Sequence, residues 1–412
     1  MPRAVPSRRA IVIGGSLGGL FVAHLLLQSG WDVHVFEHSR EDLVGRGAGI
    51  ITHPQLFAAL ARVGITIDDS FGVEVYERIA FDREGRTLGT LPVRQCLTTW
   101  GRLYALLKAA FPAERYHFGH TLERVDESAS AARAEFANGT AAEGDMLIGA
   151  DGIRSTVRAQ LMNEVRPQYA GYVAWRGLAE ERALTAATHR DLFPRFAFSL
   201  TEREHMLGYP VAGFTRSTRA GERCYNFVWY RPADGERALP DLCRDVNGRV
   251  HHMSVPPPLL RPSLVAAARE TAAELLAPQF AEVVRQSRQP FFQAIFDVES
   301  PRMTFGRIAL LGDAAFVARP HCGMGVTKAA GDAMALVDAL RKTDCDIAPA
   351  FEEYEAARHA FGVAVVAHAR ELGSPLTGSD TPQARRHHTA EAVMREIAIT
   401  REFVDGETTD NP

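Results

Sequence analysis

Residues 9–37 read RAIVIGGSLGGLFVAHLLLQSGWDVHVFE, and this stretch decides the fold. Ala10-Ile13 is a short apolar run, Gly14–Gly19 is a glycine turn, Leu20–Leu27 recurs with helical spacing, and Trp31–Phe36 is a second short strand ending in Glu37. That order is a βαβ unit. A dinucleotide fold needs glycine where the chain turns sharply, a small residue where backbone meets a pyrophosphate, and glycine where helix packs on strand. Gly14, Ser16 and Gly19 stand at those places, with Gly15 and Leu17 between them. The free N–H groups of the helix that starts here face phosphate. Glu37 lies where a carboxylate accepts from ribose hydroxyls. Arg8 and Arg9 ahead of an apolar stretch could be mistaken for a leader, but four glycines in six positions disfavour a signal helix.

The composition agrees with an enzyme-sized globular chain. At 412 residues, with 46% hydrophobic and 23% charged side chains, it can bury the cores of two or three domains. A net charge of −4 without a sustained basic run argues against nucleic acid, and no long apolar run suggests a membrane span. Cys96, Cys224, Cys243, Cys322 and Cys345 are scattered and form no C-x-x-C pair, so neither a disulfide framework nor a zinc site is expected. A reducing cytoplasm and no bound metal fit this pattern.

Two distant segments specify the dinucleotide. Met146-Leu147-Ile148 reads as a strand running into Gly149-Ala150-Asp151-Gly152, with Arg154, Ser155 and Arg158 opening a helix. Downstream, Gly306–Gly312 is a strand breaking at Gly312-Asp313, followed by Pro320-His321-Cys322-Gly323-Met324-Gly325 and a helix from Val326 to Leu340. GGSLGG with Glu37, GADGIRSTVR, and GRIALLGDAA with its later G-x-G resemble, in order, the three fingerprints of single-component FAD-dependent aromatic hydroxylases. YVAWRG at 172–177 and ARPHCGMGVTKAAGDA at 318–333 are most similar to the 2,6-dihydroxypyridine 3-monooxygenase branch.

The resemblance implies the α/β fold of p-hydroxybenzoate hydroxylase: a Rossmann-like FAD-binding domain, an interleaved, mostly antiparallel β-sheet substrate domain, and C-terminal helices. The expected division is 1–72, 98–170 and 290–340 for FAD, 73–97 and 171–289 for substrate, and 341–412 for the helical region. Residues implied to hold FAD are Gly14, Gly15, Ser16, Leu17, Gly19, Glu37, Arg46, Gly49, Val125, Asp151, Gly152, Gly312, Asp313, Pro320, Gly323, Gly325 and Val326. Pro320 and His321 are the catalytic candidates at the flavin's reactive edge. The chain departs from the family at Ser16, at Trp100 where relatives often have arginine, at Phe316 in place of histidine, and at Gly331 in place of glutamate.

Between the motifs, Glu74–Phe81, Thr87–Val93, Tyr172–Leu178, Arg195–Leu200, His205–Val211 and Cys224–Arg231 alternate as strands. Tyr209, Trp229 and His321 are the substrate-lining candidates. Ser263–Leu276, Pro278–Gln286, Ile347–Leu372 and Thr389–Phe403 read as helices, and Arg385–His388 as a solvated charged face. The activity implied is hydroxylation of a hydroxylated aromatic or N-heteroaromatic ring through a flavin C4a-hydroperoxide, with O₂ and with NADH or NADPH bound transiently. The partner is a small aromatic substrate, and the analogy suggests a homodimer. A flavin halogenase, a flavin reductase and a non-catalytic flavin-binding regulator remain alternatives.

Overall fold

The computed structural model describes residues 8–43, 49–378 and 381–399, with backbone alone for 403–404 and 407–408. In chain order the strands are β1 (Arg9–Ile13), β2 (Asp32–Phe36), β3 (Gly49–Ile51), β4 (Val73–Phe81), β5 (Thr87–Thr99) and β6 (Tyr116–His117). Next come β7 (Leu122–Glu127), β8 (Ala132–Phe136), β9 (Ala141–Gly144), β10 (Met146–Gly149), β11 (Gln168–Glu180) and β12 (Arg195–Leu200). Then follow β13 (His205–Val211), β14 (Cys224–Pro232), β15 (Phe291–Glu299), β16 (Thr304–Phe305), β17 (Ile308–Leu310) and β18 (Phe316–Val317). The helices that matter are α1 (Leu17–Gln28), α2 (Thr156–Leu161), α3 (Gly325–Lys342), α4 (Ile347–Leu372) and α5 (Ala390–Glu396).

One sheet has the order β16-β17-β10-β1-β2-β6, parallel except for β16. Its central strands β1, β10 and β17 are apolar on both faces, as a sheet covered by helices requires. A second sheet has nine strands, β18-β15-β11-β14-β13-β12-β4-β5-β3, antiparallel except where β12 meets β4. A small sheet of β7, β8 and β9 makes the third layer.

Strand pairing crosses the bounds of the division expected from sequence in two places. β15 and β18, assigned to the FAD part, pair into the nine-stranded sheet, because β15 runs antiparallel along β11. β3, inside the first expected FAD segment, pairs with β5. The C-terminal helices pack on that sheet: Val365, Ala369 and Leu372 of α4 and Val393 and Met394 of α5 join the core on one of its faces.

The last helix is shorter than Thr389–Phe403. α5 stops at Glu396, and Ala398 takes a positive φ of 59°. Arg78, fully buried on β4, donates to the carbonyls of Met394 (2.8 Å), Ile397 (2.7 Å) and Ala398 (3.1 Å), satisfying the helix end. Arg385–His388 is likewise no purely solvated face, since His387 pairs with Glu396 and His388 bonds the Thr201 carbonyl. Among the described residues no helix is long and apolar enough to cross a membrane, and no His, Cys, Asp and Glu cluster could hold a metal.

Candidate active site

The C-terminal ends of β1, β2, β10 and β17 lie side by side, where open parallel sheets bind ligands. Gly14 N donates to Phe36 O (2.9 Å), Ala150 N to Ile13 O (2.8 Å) and Leu311 N to Gly149 O (3.0 Å), so the three fingerprints meet. Glycine is required here: Gly14 has φ +104°, and a Cβ on Gly19 would sit 1.9 Å from Gly14 O. Gly152, Gly312 and Gly323 also turn at positive φ. α1, starting at Leu17 behind its N-cap Ser16, and α3, starting at Gly325 and Val326, pack together. A Cβ on Gly18 would crowd Leu311 at 3.1 Å and touch Ala329 of α3 at 3.4 Å. Buried Arg158 ties the second fingerprint to the third by donating to Ala314 O (2.8 Å).

Three acids face this convergence. Glu37, 3% exposed, accepts from Gly15 N and Ser39 N, both at 2.9 Å, and pairs with His38. Burial pushes its pKa up, but these partners outweigh burial and hold it below the ordinary carboxylate value. Asp151 accepts from Thr156 N (2.7 Å) at the start of α2, and its other oxygen is buried without a partner. Burial raises its pKa. Asp313 keeps exposed surface, yet the surrounding protein raises its pKa despite the opposing pull of Lys328 and Arg158. At the α3 end, Thr327 Oγ1 is buried without a hydrogen bond, and Lys328 Nζ has only the Asp332 carboxylate, at 3.8 Å.

Other expected cofactor residues are placed as follows. Val125 lies on β7, and its N–H already donates to Gln160 (3.0 Å). Gly49 opens β3 and donates to Asn226 Oδ1 (3.1 Å). Pro320 O accepts from Gly323 N (2.9 Å). Arg46 lies outside the described residues.

Tyr209 and Trp229, both substrate-lining candidates, lie on opposite faces of the nine-stranded sheet. Strand alternation puts Tyr209 with Tyr172, Tyr230, Phe196, Cys322 and Met324 on the face toward α4 and α5. Trp229 points to the opposite face, among Trp175, Phe227 and Phe280, and its indole donates to Glu204 (2.8 Å). His321 belongs to the Tyr209 face. It is fully buried, its Nε2 is 2.8 Å from the Tyr172 hydroxyl, its Nδ1 has no partner, and its ring lies 4.3 Å from that of Tyr230. Burial and the nearby His205 and Arg319 drive its pKa well below 6.5, so it stays neutral and is a weak base.

Comparison with known proteins is consistent with this geometry. Residues 265–369 match the FAD binding domain family, and 169–297 an FAD binding domain-like family. The 2,6-dihydroxypyridine 3-monooxygenase of Paenarthrobacter nicotinovorans is 31% identical, the alignment covering 89% of this chain and 91% of that one. The chain belongs to the FAD-dependent aromatic hydroxylases. Among further hydroxylases, the FAD-dependent urate hydroxylase of Klebsiella pneumoniae is 31% identical over 85% of each chain. The solved 2,6-dihydroxypyridine-3-hydroxylase of Arthrobacter nicotinovorans superposes with a TM-score of 0.85 at 31% identity, covering 92% of this chain and 95% of that one.

The groove of this hydroxylase fits FAD. The α1 N-terminus suits its phosphates and the α3 N-terminus its isoalloxazine ring, Glu37, Asp151 and Asp313 suit its hydroxyls, and the orphaned Asp151 oxygen and Thr327 hydroxyl are the unpaired polar atoms such a ligand satisfies. The sequence reading missed His53, Arg78, Arg158 as a bridge, and Asn226. His53 is buried beside Gly323, Nε2 to carbonyl 3.3 Å, and burial lowers its pKa to about 4. Only its place just after the glycines at 47 and 49 could have signalled it.

Proposed function

We propose that this hydroxylase acts on a hydroxylated N-heteroaromatic ring of the 2,6-dihydroxypyridine type, with NADH or NADPH as a transient reductant and O₂ as oxidant. The near full-length match to that enzyme carries the reading. Bound FAD would accept a hydride from the nicotinamide and activate O₂ for transfer of OH to the ring. The glycine turn and α1 would hold the phosphates, while Glu37 and Asp313 would accept from hydroxyls. The α3 N-terminus at Gly325 would stabilise negative charge on the bound flavin ring. The buried face of Tyr209, Tyr230 and Tyr172 stacks the ring and excludes water. Neutral His321 offers Nδ1 to the substrate hydroxyl as a hydrogen-bonding group, beside the Pro320 backbone. The unpaired cysteines support a cytoplasmic setting, and a homodimer is the assembly we favour by analogy.

The test is a screen of FAD-loaded protein against hydroxypyridines, hydroxynicotinates, hydroxypurines and phenols. NAD(P)H oxidation should be slow alone, rise many-fold with a dihydroxypyridine, and yield a product heavier by one oxygen atom. Protein that takes up no FAD, or that oxidises NAD(P)H at full speed without an aromatic and makes only peroxide, overturns the proposal.

A further inference from the structure

The face that carries Tyr209 also carries polar groups of one kind. Arg176 on β11 stands opposite Val228 of β14, which places its side chain on the same face as Asn226 and Tyr230. Tyr209 on β13 stands opposite Asn226, which closes the group. Arg176 Nε is buried without a hydrogen-bond partner. Asn226 is 1% exposed, spends its oxygen on Gly49 N, and leaves its Nδ2 buried and unpaired. The Tyr209 and Tyr230 hydroxyls are held above the ordinary phenol value by burial, with Arg176 pulling both the other way, so both stay protonated donors close to the guanidinium. Two orphaned donors and two phenols gather on this face, beside the imidazoles of His205 and His321.

Leaving buried donors unpaired costs about 1–3 kcal/mol each, more beside a charge. A face of donors around a fixed cation therefore suits an acceptor-rich anion. We propose that Arg176, with Asn226 Nδ2, anchors the substrate through an ionised ring hydroxyl and so selects hydroxylated rings that bind as anions. This rests on the activity proposed above. The planar guanidinium fork suits an oxyanion, and the anionic ring it retains is more electron-rich at the carbons ortho and para to that oxygen. The proton leaves to solvent on binding, and the guanidinium keeps its charge throughout.

The experiment uses FAD-loaded wild type, R176M and R176K with 2,6-dihydroxypyridine as the probe, following FAD affinity, probe affinity, and the absorption spectrum of the bound probe at one pH. Wild type should bind the probe with the spectrum of its anion. R176M should hold FAD within about threefold of wild type but bind the probe about 10- to 100-fold more weakly, with the neutral spectrum. R176K restores the charge without the fork, so it should return the anionic spectrum with intermediate affinity. It also supplies the answer if R176M does not fold. R176M or R176K matching wild type within threefold with the anionic spectrum overturns the proposal. A variant that loses FAD while keeping the probe assigns Arg176 to the cofactor and also overturns it. Wild type that binds FAD but no hydroxyaromatic probe overturns the proposed function itself, a separate result.

Discussion

The groove at the ends of β1, β2, β10 and β17 is shaped by backbone. Its glycines, helix N-termini and three acids each sit within a few residues of a strand end, so each leaves a contiguous mark such as GGSLGG or GADG. The Tyr209 face of the nine-stranded sheet is shaped by side chains. Arg176, Tyr209, Asn226 and Tyr230 come from three strands, and His321 reaches them from a turn far along the chain. A groove built from peptide groups tolerates no extra atom, whereas a face built from side chains tolerates exchange of one for another. That contrast can be tested by its extremes.

The largest effect belongs to the groove. Gly19→Ala would put a methyl group 1.9 Å from Gly14 O, which no rotamer relieves, so the turn must move. FAD binding should be lost or fall more than about 100-fold, a cost above about 2.7 kcal/mol. Gly235→Ala, outside the groove, would meet only Tyr169 at 3.5 Å and should leave FAD affinity within about threefold. Isothermal titration with FAD decides between them, and similar losses in both would break the idea that close approach is the groove's limit.

Acid should strike the side-chain face next. His321 is held well below its ordinary pKa, His205 is lowered to about 3 and His53 to about 4, each chiefly by burial. These groups are neutral when folded but protonate near pH ~6.5 when unfolded, so their stability contribution is complete above that value and declines as pH falls toward the folded values. Each should cost about 1 kcal/mol between pH ~7 and ~5.5, or about 3 together. Urea unfolding at both values measures this, and His205→Asn should shrink the loss by about a third. Asp151 and Asp313, raised by burial, add nothing to this acid loss.

What the chain reveals in advance follows the same contrast. Arg195–Leu200, His205–Val211, Pro278–Gln286 and Ile347–Leu372 were legible to the residue, because apolar periodicity is bounded there by turn residues. The end of α5 was not. Periodicity continues past Glu396, and what stops the helix is Arg78, a guanidinium from a strand more than 300 residues earlier. The face of Tyr209 against Trp229 was equally hidden, since both are aromatic strand residues and only the register of β13 on β14 separates them. Gly331 in place of glutamate becomes intelligible only in three dimensions. Arg358 passes 3.2 Å from where its Cβ would be and bonds Asp332 (2.7 Å), which in turn accepts from Gly312 N.

A smaller effect is expected at Asp313. Removing its carboxylate by Asp313→Ala leaves a cofactor hydroxyl without its acceptor, which should weaken FAD by about 1–3 kcal/mol, or roughly 5- to 150-fold. Fluorescence titration with FAD checks it. An unchanged affinity would remove the third fingerprint from the groove.

The smallest effects separate the two faces of one sheet. Tyr209→Phe deletes a single hydroxyl from the donor group while keeping the ring that packs 5.0 Å from Phe196. It should leave folding within about 0.5 kcal/mol and weaken a bound dihydroxypyridine by about 1 kcal/mol, near fivefold. Trp229→Phe does the reverse. It removes the indole donor to Glu204 on the far face, a partner that Arg231 also holds, so stability should fall by about 1 kcal/mol or somewhat more while FAD and substrate affinity hold. Measuring thermal unfolding and ligand affinity on both variants gives a crossed pattern if alternation along β13 and β14 decides which tyrosines and tryptophans meet the substrate. Parallel losses in both quantities for both variants would mean that the sheet transmits changes between its faces, and the side-chain face would then be no more tolerant than the groove.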